Sequence, residues 1–371
     1  MLSNVSFKSL NFIAPFSIAF LTLSLTTQHT KVYNDKNVYL IMKKYKEIHI
    51  WEFPVKLTFI RLKKEFRLKL FNELKKQSSS IKSLLNQINK SATKYGIKRK
   101  YNTGHLSSWI KGEKYDKGKI KNINVPLWVL IESSRILSHN KRINNNIMIE
   151  IEKDMEYYTG TGKSNPILNP KLPIYLTPEL ISVIFHFMGD GHIGRKTVVS
   201  SYRQMNKEGL NNFLRKLQNI FGDFDYPKKE FNNGRLNVPK IITEFYVHYF
   251  NLPNTDTFEA YLPENIKKLE KEFLLAGLIS FIVDEGHVGE VITIYGKNKK
   301  LMNDIREIAI KCGYLCHPLR EKYAYGKFDV YRFSISIKSY NKFYKDIINL
   351  ANSFPTCTLV QKMEKLTKRI R

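Results

Sequence analysis

Two short corners of the chain carry residues whose types and spacing suit chemistry. They are Gly189-Asp-Gly-His-Ile-Gly194 and Asp284-Glu-Gly-His-Val-Gly289. Each follows an apolar run, Leu180–Met188 and Phe273–Val283, that reads as a helix. Asp190 and Glu285 therefore fall at helix C-termini, where negative partial charge makes a carboxylate unfavourable by a few tenths to about 1 kcal/mol. If the two helices pack side by side, the acids also repel each other. A chain that accepts both costs in both corners points to a compensating cation. Paired carboxylates holding Mg²⁺ at a phosphodiester are one chemistry that needs such a pair. Taken singly, an Asp-Gly or Glu-Gly is an ordinary turn, and Gly191 and Gly286 read as helix stops; the doubling gives the signal its force. His192 and His287 match across the corners, either ordering water or DNA backbone there or simply opening exposed strands.

The elements around the corners also match. Strand-like runs come next, Val198–Gln204 and Val291–Tyr295. A second helix aligns Leu210, Leu214, Arg215, Leu217 and Gly222 with Leu301, Ile305, Arg306, Ile308 and Gly313. Hairpin turns are expected at Asn232-Asn-Gly234 and Tyr325-Gly326. A third helix starts with Lys240-Ile-Ile-Thr-Glu-Phe-Tyr246 in one copy and Lys338-Ser-Tyr-Asn-Lys-Phe-Tyr344 in the other. Such a repeat describes a pseudo-two-fold dimer within one chain, hence a monomer. Lys240 and Lys338 close equivalent strands. Along Phe328–Lys338, the side chains of Arg332, Ser334, Ser336 and Lys338 share one face, while Tyr331, Phe333, Ile335 and Ile337 share the other.

Residues 42–140 read as helical and basic. Leu62, Phe66, Leu70 and Leu74 keep helical spacing; Ser78-Ser-Ser80 offers caps for a helix carrying Ile81, Leu84, Leu85 and Ile88. Thr103–Gly112 is a short helix with a glycine stop, and Pro126 opens another over Leu127–Leu137. The pattern suggests a helix-turn-helix-like domain with Leu106, Trp109 and Ile110 inward, leaving His105, Ser107, Ser108 and Lys111 to meet DNA. An ordinary helical bundle is the alternative. Residues 141–170, rich in Asn, Gly and Pro, read as a linker.

The chain has 371 residues and a formal charge of +28, a self-repelling excess that asks for a polyanion, nucleic acid before an anionic membrane. The run Leu10–Leu25 is too short and too interrupted to span a bilayer. Residues 1–41 read as a non-essential extension, with Met42 as the working start. Cys312, Cys316 and Cys357 fall short of a zinc set even with His317, and fit reduced thiols in a cytoplasmic protein. The basic tail, Lys362, Lys365, Lys368, Arg369 and Arg371, reads as a phosphate-contacting or solvated face.

The nonapeptides Val183-Ile-Phe-His-Phe-Met-Gly-Asp-Gly191 and Leu278-Ile-Ser-Phe-Ile-Val-Asp-Glu-Gly286 resemble the two LAGLIDADG motifs of homing endonucleases. The resemblance covers residues 171–371, in halves 171–255 and 256–371. It implies an α+β fold of tandem αββαββα repeats whose saddle-shaped sheets sit on double-stranded DNA. It also implies Asp190 and Glu285 as catalytic Mg²⁺ ligands, with Gly189 and Asp284 beside them in the metal site. Lys240 and Lys338 are then the basic residues that polarise water or meet phosphate charge. At the third motif position, where the family prefers a small residue, Ser280 is small and Phe185 is not. The basic module likewise resembles helix-turn-helix segments found ahead of such nucleases. A free-standing site-specific endonuclease for intron homing is the expected function. A DNA-binding regulator with inactive acids and an RNA-splicing maturase are the alternatives.

Overall fold

The computed structural model describes residues 44–116, 119–138, 142–162, 164–194, 199–253, 258–325 and 327–370. The expected extension 1–41 and Met42 lie outside them. The fold is α+β, with several small antiparallel sheets among the helices.

The amino-terminal part starts with β1 (Glu47–Ile48), a 3-10 turn (Ile50–Glu52) and β2 (Phe59–Leu62). Leu62 thus belongs to a strand, and α1 (Lys64–Gln77) buries Leu70, Phe71 and Leu74. Ser80 Oγ accepts from the Ser83 N–H at 3.1 Å and starts α2 (Ile81–Lys94), which buries Leu84, Leu85 and Ile88. Asn102 caps α3 (Thr103–Lys111), and Gly112 ends it at φ 73°, a left-handed stop that glycine adopts without strain. Leu106 and Trp109 point inward from α3. The buried Arg67 donates to the carbonyls of Leu62 (2.7 Å), Ile110 (3.1 Å) and Lys111 (3.0 Å), so α1 and the end of α3 share one cation.

Beyond α3 the chain departs from a helical module plus linker. A hairpin, β3 (Glu113–Asp116) and β4 (Lys119–Asn122), comes directly after that helix. Then come β5 (Val125–Pro126), α4 (Leu127–Leu137), α5 (Asn145–Lys153), β6 (Met155–Thr159) and β7 (Ile167–Leu168). A four-stranded sheet in the order β5-β2-β6-β7 joins residue 59 to residue 168. Where a linker was expected, residues 145–153, 155–159 and 167–168 are therefore regular structure. Strands of two to five residues are too short to show the alternation that would have revealed them.

β8 (Ile174–Tyr175) pairs with β1. Thr177 Oγ1 then caps α6 (Pro178–Met188), whose eleven residues are all buried, the polar Glu179, Ser182 and His186 among them. β9 (Gly191–His192), β10 (Ser201–Arg203), α7 (Lys207–Phe221), α8 (Lys228–Asn232), β11 (Arg235–Asn237) and α9 (Lys240–Phe250) complete this segment, with sheet order β11-β10-β9. Asn232-Asn-Gly234 is not a hairpin: Asn232 ends α8, and Gly234 at φ 78° leads into β11. Val198 lies outside the described residues.

After α10 (Glu264–Lys267), α11 (Lys271–Glu285) buries Phe273–Val283 without interruption. The chain continues through β12 (Gly286–Val288), β13 (Ile292–Gly296), α12 (Lys299–Lys311), β14 (Arg320–Ala324), β15 (Lys327–Ile335), α13 (Tyr340–Ser353) and α14 (Lys362–Thr367), with sheet order β12-β13-β15-β14. The β14–β15 hairpin turns at Tyr325, φ 52°; Gly326 lies outside the described residues. β15 stops at Ile335, and Ser336 caps a 3-10 turn, Ile337–Ser339, by accepting from the Lys338 N–H. The expected strand to Lys338 is thus three residues too long.

Candidate functional site

α6 and α11 pack on each other more extensively than any other pair of elements. Close approach is achieved by exchange of bulk: the Phe185 ring of α6 fills the space over Gly277 of α11, where an added Cβ would overlap it. A small residue at position 185 is therefore unnecessary, because the facing helix supplies the gap. Ser280 is buried and uses its hydroxyl, 3.1 Å from Lys216 Nζ.

Both helices end at the same place. Gly189 caps α6 and Asp190 sits in the turn beyond it; Glu285 is the last residue of α11. Gly191 and Gly286 are needed for close approach rather than for a left-handed stop. A Cβ on Gly191 would lie 2.5 Å from Phe187 Cα, and one on Gly286 2.6 Å from the Ile282 carbonyl oxygen. Each strand thereby folds straight back from its helix.

Three carboxylates meet at this point. Burial, then the charge of Asp284, pushes Asp190 up to about 7. Glu285 rises to about 7 through burial, then the charges of Asp190 and Asp284. Asp284, with a side chain that is 0% exposed, also rises to about 7 through burial, against the pull of its hydrogen bonds. Those bonds define its role. Tyr202 Oη donates to Asp284 Oδ1 at 2.6 Å, and His186 Nδ1 lies 3.0 Å from Oδ2. Lys216 Nζ, itself fully buried, reaches His186 Nε2 at 3.1 Å. An ammonium only donates, so Nε2 accepts and the ring proton on Nδ1 goes to Asp284. Burial and Lys216 hold His186 well below its ordinary value, hence neutral.

Asp190 and Glu285 remain as two hard-oxygen donors at the paired helix ends, with Gln204 Nε2 donating to Asp190 Oδ2 at 3.1 Å. Among the described residues, no group of three or more His, Cys, Asp or Glu is arranged so that it alone could hold a metal ion. Two carboxylates suit Mg²⁺, which keeps waters and takes phosphate oxygens rather than a full protein cage. Asp284, by contrast, spends its carboxylate on Tyr202 and His186 and is a poor ligand; a Cβ added at Gly189 would lie 2.8 Å from Asp284 Cβ, so no side chain fits there.

The cation over the acids is Lys362. Its Nζ donates to the carbonyls of Ile282 (2.8 Å), Val283 (2.6 Å) and Gly286 (2.6 Å) and lowers all three carboxyl pKa values. The expected solvated face is, at this residue, a half-buried helix cap. Lys240 instead opens α9, with Glu244 3.9 Å away, and Lys338 is exposed in the 3-10 turn. Neither is on a strand.

On β15 the alternation holds from Tyr331 to Ile335: Phe333 and Ile335 are buried, Arg332 is exposed, and Ser334 shares a 3.0 Å hydrogen bond with Thr293. Ser336 and Lys338 leave that face because the strand has ended. His192 and His287 are exposed strand residues. In the amino-terminal part Ser107 and Lys111 are exposed on α3, Ser108 Oγ donates to the Gly104 carbonyl at 2.8 Å, and His105 contacts Arg99 and Asn102.

Registers add a feature invisible in the linear sequence. Arg203 stands directly across from Arg235 between β10 and β11, and Arg320 from Arg332 between β14 and β15. Like charges so placed repel. In each sheet the arginines lie on the side away from the buried residues, Tyr202 and Leu236 in one case and Phe333 in the other. A comparison with protein-family models matched none of them, and a comparison with curated proteins found no match.

Proposed function

We propose that the chain is a Mg²⁺-dependent, site-specific DNA endonuclease of the LAGLIDADG type, acting as a monomer on double-stranded DNA. The observation that carries this reading is the meeting of Asp190 and Glu285 at the ends of two mutually packed helices, each continuing at once into an antiparallel sheet. The order α11, β12, β13, α12, β14, β15, α13 fits αββαββα, and α6 to α9 fit it with the short α8 in place of one strand. The two arginine pairs give both sheets an outer face suited to phosphate.

Asp190 and Glu285 would hold the ion, which when bound supplies charge stabilisation and an activated water at the phosphodiester. Gln204 orients Asp190. Lys362 offsets part of the rise that burial imposes on the acids, and Asp284, tied to Tyr202 and His186, fixes the two helix ends relative to each other. Lys240 and Lys338, each close to the start of its third helix, are proposed to meet phosphate charge. Arg332 and Ser334 belong to the DNA-facing side, and α3 with Ser107 and Lys111 to a helix-turn-helix-like contact ahead of the nuclease.

The reading is tested by incubating the protein with a randomised duplex library and Mg²⁺ and sequencing the new ends. Recurrent ends at one sequence are expected; uncut DNA that is nonetheless bound would favour a regulator, for which Lys362 already supplies the acids with a cation.

A further inference from the structure

The β3–β4 hairpin carries the same signature as the two sheets, outside any element yet given a role. Lys114 and Lys121 are direct cross-strand partners and both are exposed. Such partners share a face at about 4.5–5.5 Å between Cβ atoms, so the pair is unfavourable by itself. Beside it stands a guanidinium held in place. Arg99 Nη2 lies 2.5 Å from His105 Nε2, and Arg99 Cζ lies 5.6 Å from the centre of the Tyr101 ring. Arginine only donates, so Nε2 accepts; the ring proton is then on Nδ1, 2.7 Å from Asn102 Oδ1. His105 is thus a neutral strut between the Asn102 cap and Arg99, with both ring nitrogens engaged. Burial, then the charges of Arg99 and Lys114, hold its pKa below the ordinary histidine value, which puts both cations near one ring.

We infer that Arg99, Lys114 and Lys121 form a second contact to the DNA backbone, with Arg99 gripping one phosphate and the hairpin lysines taking charge beside it. Duplex DNA is the occupant because phosphates recur along it at a spacing that serves several separate cations at once. A guanidinium held on two sides loses less freedom on gripping a phosphate than a loose one, and keeps donors to do so. His105 is in this account a positioning residue for Arg99 and reads no base. The inference rests on the DNA-binding reading above.

The test uses the full chain without metal, a labelled duplex and a series of salt concentrations. Joint replacement R99Q, K114Q and K121Q should make the slope of log affinity against log salt shallower by about 2–3, at about 0.9 for each phosphate that is no longer neutralised. Melting temperature should hold, since all three side chains are exposed. His105→Leu should weaken binding with the slope retained, while His105→Gln, which can still accept from Arg99, should keep most of the affinity. A triple variant with the wild-type slope would overturn this phosphate site and leave the nuclease reading standing. A wild-type chain that ignores duplex DNA but binds single-stranded RNA or anionic vesicles would overturn both.

Discussion

Lys362 shows how one side chain serves two needs at the end of α11. A helix leaves its last carbonyls without partners, and three carbonyls at this end accept from one ammonium that also lies against the acids. Lys362→Met should therefore cost about 1–3 kcal/mol, the range for leaving buried polar groups unsatisfied. It should also move any cleavage–pH profile to higher pH, because the acids lose the cation that lowers their pKa values. An unchanged melting temperature and profile would refute both roles. The acids make a second prediction. Asp190, Asp284 and Glu285 titrate at about 7 in the folded chain, against ordinary values of 3.8 and 4.5. The folded state then binds more protons across that interval, so their contribution to stability falls as pH rises toward 7. Without metal, Asp190→Asn and Glu285→Gln should melt at higher temperature than the wild type at pH 8, with the gap narrowing toward pH 5. His186, whose shift acts in the opposite sense, is common to all three proteins and cancels. A gap that widens on acidification would contradict the assignment. The place of Asp190 and Glu285 at two matching helix ends was legible in the sequence because the corner is doubled. Lys362 was not, since its neighbours come from α11, far away along the chain. Lys216 left a faint trace, a lysine on the stripe that also carries Phe213, Leu217 and Ile220.

At the scale of elements, α6 and α11 were readable as largely apolar runs, and the caps at Ser80 and Gly112 fell where expected. How the helices meet was not readable, because Phe185 and Gly277 pair across space. Gly277→Ala should cost about 1–3 kcal/mol through overpacking. Phe185→Leu, made alongside, should return part of it, which a double-mutant cycle measures as a non-additive coupling. Strict additivity would mean that the two residues do not share the gap. The sheets resisted reading for a different reason. β9 has two residues and β10 and β11 three each, too few for a period, and the arginine pairs depend on register alone.

Across the whole molecule, the amino-terminal part is tied into the helix pair and is not an appendage. Tyr45 packs edge-on against Phe273 and Phe354, Lys44 pairs with Glu272, and β1 completes a sheet with β8. Leu168 bridges to Asp223 at the end of α7. The intact chain should therefore melt in one transition, and removal of residues 42–140, which takes β2 out of its sheet, should leave a destabilised remainder. A remainder that melts like the intact protein would show the two parts to be independent. The charge of +28 asks for a polyanion, and on the proposed reading it lies along the three like-charged pairs.

On the proposed reading, Asp190 and Glu285 hold the metal at which DNA is cut. The most direct measurement takes the duplex recovered from the library and monitors Mg²⁺-dependent cleavage by Asp190→Asn and Glu285→Gln, with DNA binding measured on the same proteins. Each change removes a ligand charge and keeps the size of the side chain, so binding should be nearly unchanged while double-strand cleavage is lost or greatly slowed. Full cleavage by one variant would remove that residue from the site; full cleavage by both would contradict the mechanism.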